Sequence, residues 1–147
     1  MRSLKIKCSK SPLLTVERSK QWDRRMVYIL VSNKPYKYPS GRRSRIIYIG
    51  TTGEGGRRPA ASAMEKATEA FSELHGVKKI EVHIATCRGR RRIKTWEHLE
   101  SALLATFRAL HFKLPTYNKK KGSVIFVEDI TLFRQQALHK LILQFAD

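Results

Sequence analysis

A chain of 147 residues is long enough to bury one core and short for two, so a single domain spanning 1–147 is expected without disulfide or metal staples. Thirty lysines and arginines against twelve acids leave a formal charge of +18, a field suited to polyanions, with nucleic acid first among them. No run approaches the ~20 apolar residues of a spanning helix and no signal-peptide pattern opens the chain, so an intracellular, cytoplasmic protein without membrane contact is expected. Its two cysteines, Cys8 and Cys87, have no CxxC and no histidine pair at metal spacing; they read as buried thiols and support neither a zinc site nor a disulfide framework.

Residues 1–25 read as an N-terminal extension with a short strand from Leu4 to Cys8 and a polar connector. Two segments rich in β-branched and aromatic residues follow, Met26 to Val31 and Arg45 to Gly50, bounded by Asn33, Pro35, Pro39 and Gly41. They should pair as an antiparallel hairpin with Tyr28 and Tyr48 in mid-strand. Between them Lys34, Lys37, Arg42, Arg43 and Arg45 alternate with Tyr36 and Tyr38. Cations among rings suit backbone phosphates and exposed bases, and they equally suit an ordinary solvated hairpin loop.

After Gly50 come Gly53, Gly55 and Gly56, without the lysine of a Walker motif, and then Arg57, Arg58 and Pro59. Pro59 suits the first position of a helix whose apolar stripe is Ala60, Met64, Ala67, Phe71 and Leu74, ending near Gly76. Arg58 then stands at the helix entrance, where guanidinium and free backbone N–H groups favour an anion. Val77 to Cys87 alternates as a third strand, partnered by a tyrosine strand. The run Arg88, Arg90, Arg91, Arg92 and Lys94 adds, with Arg57, further candidate phosphate contacts.

A helix from Trp96 to about His111 carries the stripe Trp96, Leu99, Leu103, Phe107 and Leu110, and Glu100 falls inside it. A carboxylate on a core-facing position needs a partner, because an unpaired buried charge is costly. That partner is either a structural arginine or a divalent cation, which takes hard oxygen ligands and needs few carboxylates when phosphate and water complete the shell. Glu97 lies at the margin of the stripe. Leu114 to Asn118 follows, Lys119, Lys120 and Lys121 extend the basic set, and residues 119–147 should form a strand at Val124 to Val127 and an amphipathic helix on Ile130, Phe133, Ala137, Leu141 and Phe145.

Val-Tyr-Ile at 27–29, Tyr-Ile-Gly at 48–50, Arg58 ten residues past Tyr48, Glu100 within a helix and Asn118 after Pro115 together resemble the GIY-YIG nuclease superfamily. The resemblance covers a core of about 26–118, with valine where the first motif has glycine. It implies an α+β fold in which a small antiparallel sheet of three central strands is flanked by helices. It also implies a divalent-metal-dependent endonuclease that hydrolyses phosphodiester bonds in DNA, with RNA as the alternative substrate. Tyr28, Tyr48, Arg58, Glu100 and Asn118 are then the site residues. One Mg²⁺, or Mn²⁺ in its place, would be held by Glu100, and a tyrosine, Tyr28 first, would assist the attacking water. Many members have histidine or tyrosine where Ser62 stands, a departure that bears on proton relay: Ser62 should matter little if Tyr28 works without the usual helix partner. The reading from another class is a catalytically inactive basic nucleic-acid-binding module, as monomer or dimer.

Overall fold

An unbroken apolar run such as Met26 to Val31 suits a strand covered on both faces, and Met26 through Ser32 are all buried. In a computed structural model, which describes residues 3–17, 24–118 and 131–147, the elements are β1 (Met26–Lys37), β2 (Arg43–Thr52), α1 (Arg57–Glu73), β3 (Ile80–Ala85), α2 (Thr95–His111) and α3 (Gln135–Leu143). The sheet order is β2-β1-β3, and both pairings are antiparallel. The architecture is therefore α+β, with the third strand added to the first tyrosine strand.

The period-2 alternation of β1 sorts its side chains into two cores. Val27, Ile29 and Val31 join Ile46 and Ile49 of β2 and pack on Leu99, Leu103, Leu104 and Phe107 of α2 and on Leu138 and Ile142 of α3. Tyr28 and Leu30 point the other way, with Ile47 of β2, toward Ala70 of α1, Val77 and Tyr117. At roughly 1.5–3 kcal/mol for each fully buried large aliphatic or aromatic side chain, the first layer supplies most of the apolar stabilisation.

Several elements differ from the sequence expectation. The hairpin is longer: β1 continues through Lys37, which pairs with Arg43 after two register shifts, and Gly41 takes φ 86° in the turn. The loop expected from Lys34 to Arg45 is thus mostly strand. Tyr38 is not an exposed ring available to bases: it is 6% exposed, meets Phe107 and His111 edge-on at 5.1 Å each, and its hydroxyl donates to Ile46 O at 3.1 Å. No strand forms from Leu4 to Cys8, whose residues are exposed and have no strand partner among the described residues. Cys8 is correspondingly exposed, and Cys87 is half-buried.

The buried face of α1 also differs. The helix begins at Arg57, two residues before Pro59, and buries Pro59, Lys66 and Ala70, while Met64 and Phe71 are 46% and 38% exposed. The opposing sheet face carries tyrosine rings, and small side chains plus one lysine fit over them where a methionine and phenylalanine stripe would not. β3 is shorter than Val77 to Cys87, and Val82 is 40% exposed because the strand lies at the sheet edge. In α3 the buried positions are Leu138 and Ile142, with Phe145 beyond it, and Ala137 is exposed. The expected strand at 124–127, Ile130 and Lys119, Lys120 and Lys121 lie outside the described residues. Among the described residues no helix is long and apolar enough to cross a membrane.

Candidate active site

Tyr28 sits opposite Gly50 in the β1–β2 register, and its ring lies directly over that glycine. A Cβ on residue 50 would come within 2.5 Å of Tyr28 Cζ and 2.6 Å of its hydroxyl oxygen, so close approach, and not backbone freedom, requires glycine here. Tyr28 has no exposed surface. Its hydroxyl lies 3.0 Å from Ser62 Oγ on α1, a hydrogen bond that either oxygen can donate. Ser62 is therefore the hydrogen-bond partner of Tyr28.

Tyr48 is half-buried, with its ring centroid 6.0 Å from that of Tyr28. Burial pushes the Tyr48 phenol above its ordinary value, the Tyr28 phenol and the Glu100 carboxylate add to the rise, and Arg58 opposes it. Of the two tyrosines, Tyr48 is the one solvent can reach. Lys66 Nζ lies 5.7 Å from the Tyr48 ring centre and 6.0 Å from that of Tyr117, within the range of cation–π attraction. The lysine is 7% exposed and also pairs with Glu65 at 3.2 Å and Glu69 at 3.8 Å.

Glu100 projects from the second turn of α2 toward this cluster. Burial raises its carboxyl to about 7, the positive charge of Arg58 pulls it back, and Glu97 adds to the rise. Among the described residues it forms no salt bridge with any lysine or arginine. Asn118 stands behind β2. Its side chain accepts from Ile49 N at 2.9 Å and donates to Ile49 O at 2.8 Å, while Tyr117 N donates to Ile47 O at 2.9 Å. These bonds close the outer edge of the strand that carries Tyr48, so Asn118 acts on the site through the backbone. Tyr28, Tyr48, Arg58 and Glu100 thus share one electrostatic neighbourhood, with Asn118 bracing it.

Beyond Arg58 the site opens into a cleft of about 560 Å³, bordered by Thr52, Gly53, Glu54, Arg57, Arg58, Ala61, Lys94, Trp96 and Glu97. Arg57 and Lys94 thus meet the site. The hairpin cations do not: Arg42 and Arg43 line a separate hollow against the C-terminal Leu143, Ala146 and Asp147, and Arg43 is five residues, roughly 17 Å of strand, from Tyr48. Lys34 Nζ donates to His75 O at 3.2 Å, Arg45 is half-buried, and Lys37, Arg88, Arg90, Arg91 and Arg92 are exposed. Lys66, Trp96 and Glu97 are site features that the sequence reading missed. Lys66 was findable, because a lysine on the buried side of a helix raises the same question as Glu100.

Among the described residues no three His, Cys, Asp or Glu side chains gather as a ready metal cage. The donor set fits a hard divalent ion with one carboxylate, where phosphate and water supply the other oxygens. A half-buried carboxyl that resists ionisation in the free protein gains most from a cation beside it. Comparison with known proteins assigns no family: no family model matches the chain, and no match was found among curated proteins or solved structures.

Proposed function

We propose that the protein is a divalent-metal-dependent endonuclease of the GIY-YIG type, hydrolysing phosphodiester bonds in DNA. The observation that carries this reading is Glu100: a half-buried carboxyl, without a salt bridge among the described residues, beside Arg58 and two tyrosines on a chain of charge +18. Arg58 offers a planar pair of donors to the phosphoryl oxygens, where charge accumulates as water attacks. Tyr48, the reachable phenol, stays protonated and positions that water by a hydrogen bond; as the new P–O bond forms and the leaving P–O bond breaks, the water's proton passes to solvent in the open cleft. Tyr28 lies with its ring centroid 6.0 Å from that of Tyr48 and is itself held by Ser62 at 3.0 Å, so the serine and the buried phenol fix the place of the reachable one. A bound Mg²⁺ or Mn²⁺, ligated by Glu100, would supply Lewis-acid polarisation of the phosphate.

The test incubates plasmid DNA with wild type and with Glu100→Gln, in Mg²⁺, in Mn²⁺ and in chelator. Cleavage by wild type in metal alone is expected, with a loss of at least ~10²-fold in Glu100→Gln, the scale of removing one transition-state contact. Glu100→Gln cutting as fast as wild type would overturn the assignment. One observation favours the second reading, an inactive nucleic-acid-binding module: burial makes Tyr48 a weaker acid, and so a costlier phenolate base. Salt-sensitive DNA binding by wild type without cleavage in either metal would select that module.

A further inference from the structure

The cleft that opens at Arg58 is larger than one phosphate and its metal need. At about 560 Å³ it falls within the ~300–1,000 Å³ typical of sites for small organic ligands. One wall is the first turn and a half of α1, with Arg57, Arg58 and Ala61; the other is the start of α2, with Lys94, Trp96 and Glu97; Thr52, Gly53 and Glu54 join them. No side chain caps either helix start, so two positive helix ends and three cations border one opening. Of the two acids there, Glu97 is offset by Lys94 at 3.6 Å, and Glu54 is exposed.

The aromatic wall distinguishes this cleft from a plain basic surface. The Arg25 guanidinium lies 4.7 Å from the centre of the Trp96 ring, fixing the indole, and the bare backbone of Gly53 borders the indole edge. A Cβ on residue 53 would sit 3.6 Å from indole Cζ2 and Nε1, an ordinary contact. We propose that the cleft receives one unstacked nucleotide of a DNA strand next to the scissile phosphate, its base against Trp96 and its phosphate between Arg57 and Lys94. This rests on the nuclease reading for the identity of the neighbouring site. A base within an intact duplex is stacked on both sides and cannot reach an indole walled by two helices, so the substrate carries an unpaired or extruded nucleotide.

The test is equilibrium binding, in chelator, of a short fluorescein-labelled DNA duplex and of the same duplex with one unpaired thymidine. Wild type is expected to bind the bulged duplex about ten-fold tighter, the scale of one base stacked on an aromatic side chain. Trp96→Ala should bring the two affinities together, and Trp96→Phe should keep most of the preference. Gly53→Leu, at a glycine without positive φ, should fill the cleft and abolish the preference without removing a core side chain. Equal binding of both duplexes by wild type, or a preference that survives Trp96→Ala and Gly53→Leu, overturns the proposal. Cleavage in Mg²⁺ is scored separately: preference without cleavage defeats the nuclease reading and leaves the nucleotide cleft standing, and cleavage without preference does the reverse.

Discussion

The two faces of β1 are built for different ends. One face, Val27, Ile29 and Val31, meets Leu99, Leu103, Leu104, Phe107, Leu138 and Ile142 in an apolar layer. The other, Tyr28 and Leu30, meets α1 through Ser62, Lys66 and Ala70, and borders Tyr48, Arg58 and Glu100. A polar group removed from water must recover its hydrogen bonds or its charge partner, so the second face stabilises less per residue. The difference places stability with the apolar stripe of α2 and with α3, and the candidate chemistry with the start of α1, Tyr48 of β2 and Glu100 in the second turn of α2.

Substitutions on the two faces should separate accordingly. Phe107 has no exposed surface and stacks on His111 at 4.0 Å; Phe107→Ala should lower unfolding stability by about 3–5 kcal/mol in denaturant titration. Gly50→Ala should cost about 1–3 kcal/mol and displace the Tyr28 ring, because the new methyl would lie 2.5 Å from Tyr28 Cζ. Its DNA cleavage should fall further than its stability predicts, and a variant cleaving at wild-type rate would show that the Tyr28 position is irrelevant. Ser62→Ala should be the mildest. Loss of the 3.0 Å hydrogen bond should cost about 1 kcal/mol of stability, and a several-fold drop in cleavage rate would make Ser62 a positioning residue for the tyrosine pair.

The apolar face was largely legible from sequence, because α2 carries its apolar residues at helical spacing and β1 reads as one continuous run. Glu100 was legible for the converse reason, as a charge where the wheel demands a hydrophobe. What escaped depends on tertiary partners. Met64 and Phe71 make a plausible stripe until the tyrosines of the sheet occupy the space opposite α1 and favour the Lys66 side. Tyr38 looks like a loop aromatic until Phe107 and His111 enclose it. Ser62 and Tyr28 are 34 residues apart, and no local pattern announces a hydrogen bond at that separation. Trp96 counted as core by periodicity, yet it is only half-buried and lines the cleft.

If Glu100 is placed for chemistry, it should destabilise the free protein when ionised. Its carboxyl is harder to ionise folded than unfolded, so stability is withdrawn as pH rises from the unfolded value of 4.5 to the folded value of about 7. Thermal melting of metal-free wild type and Glu100→Gln across that range reads this directly. After allowance for partial solvent screening, the variant should be more stable by about 1–2 kcal/mol above pH 8, roughly 3–6 °C in Tm, with the two melting temperatures converging near pH 4.5. A Glu100→Gln protein that melts below wild type above pH 8 would instead make Glu100 a structural carboxylate and contradict the division of the molecule into a stabilising face and a working one.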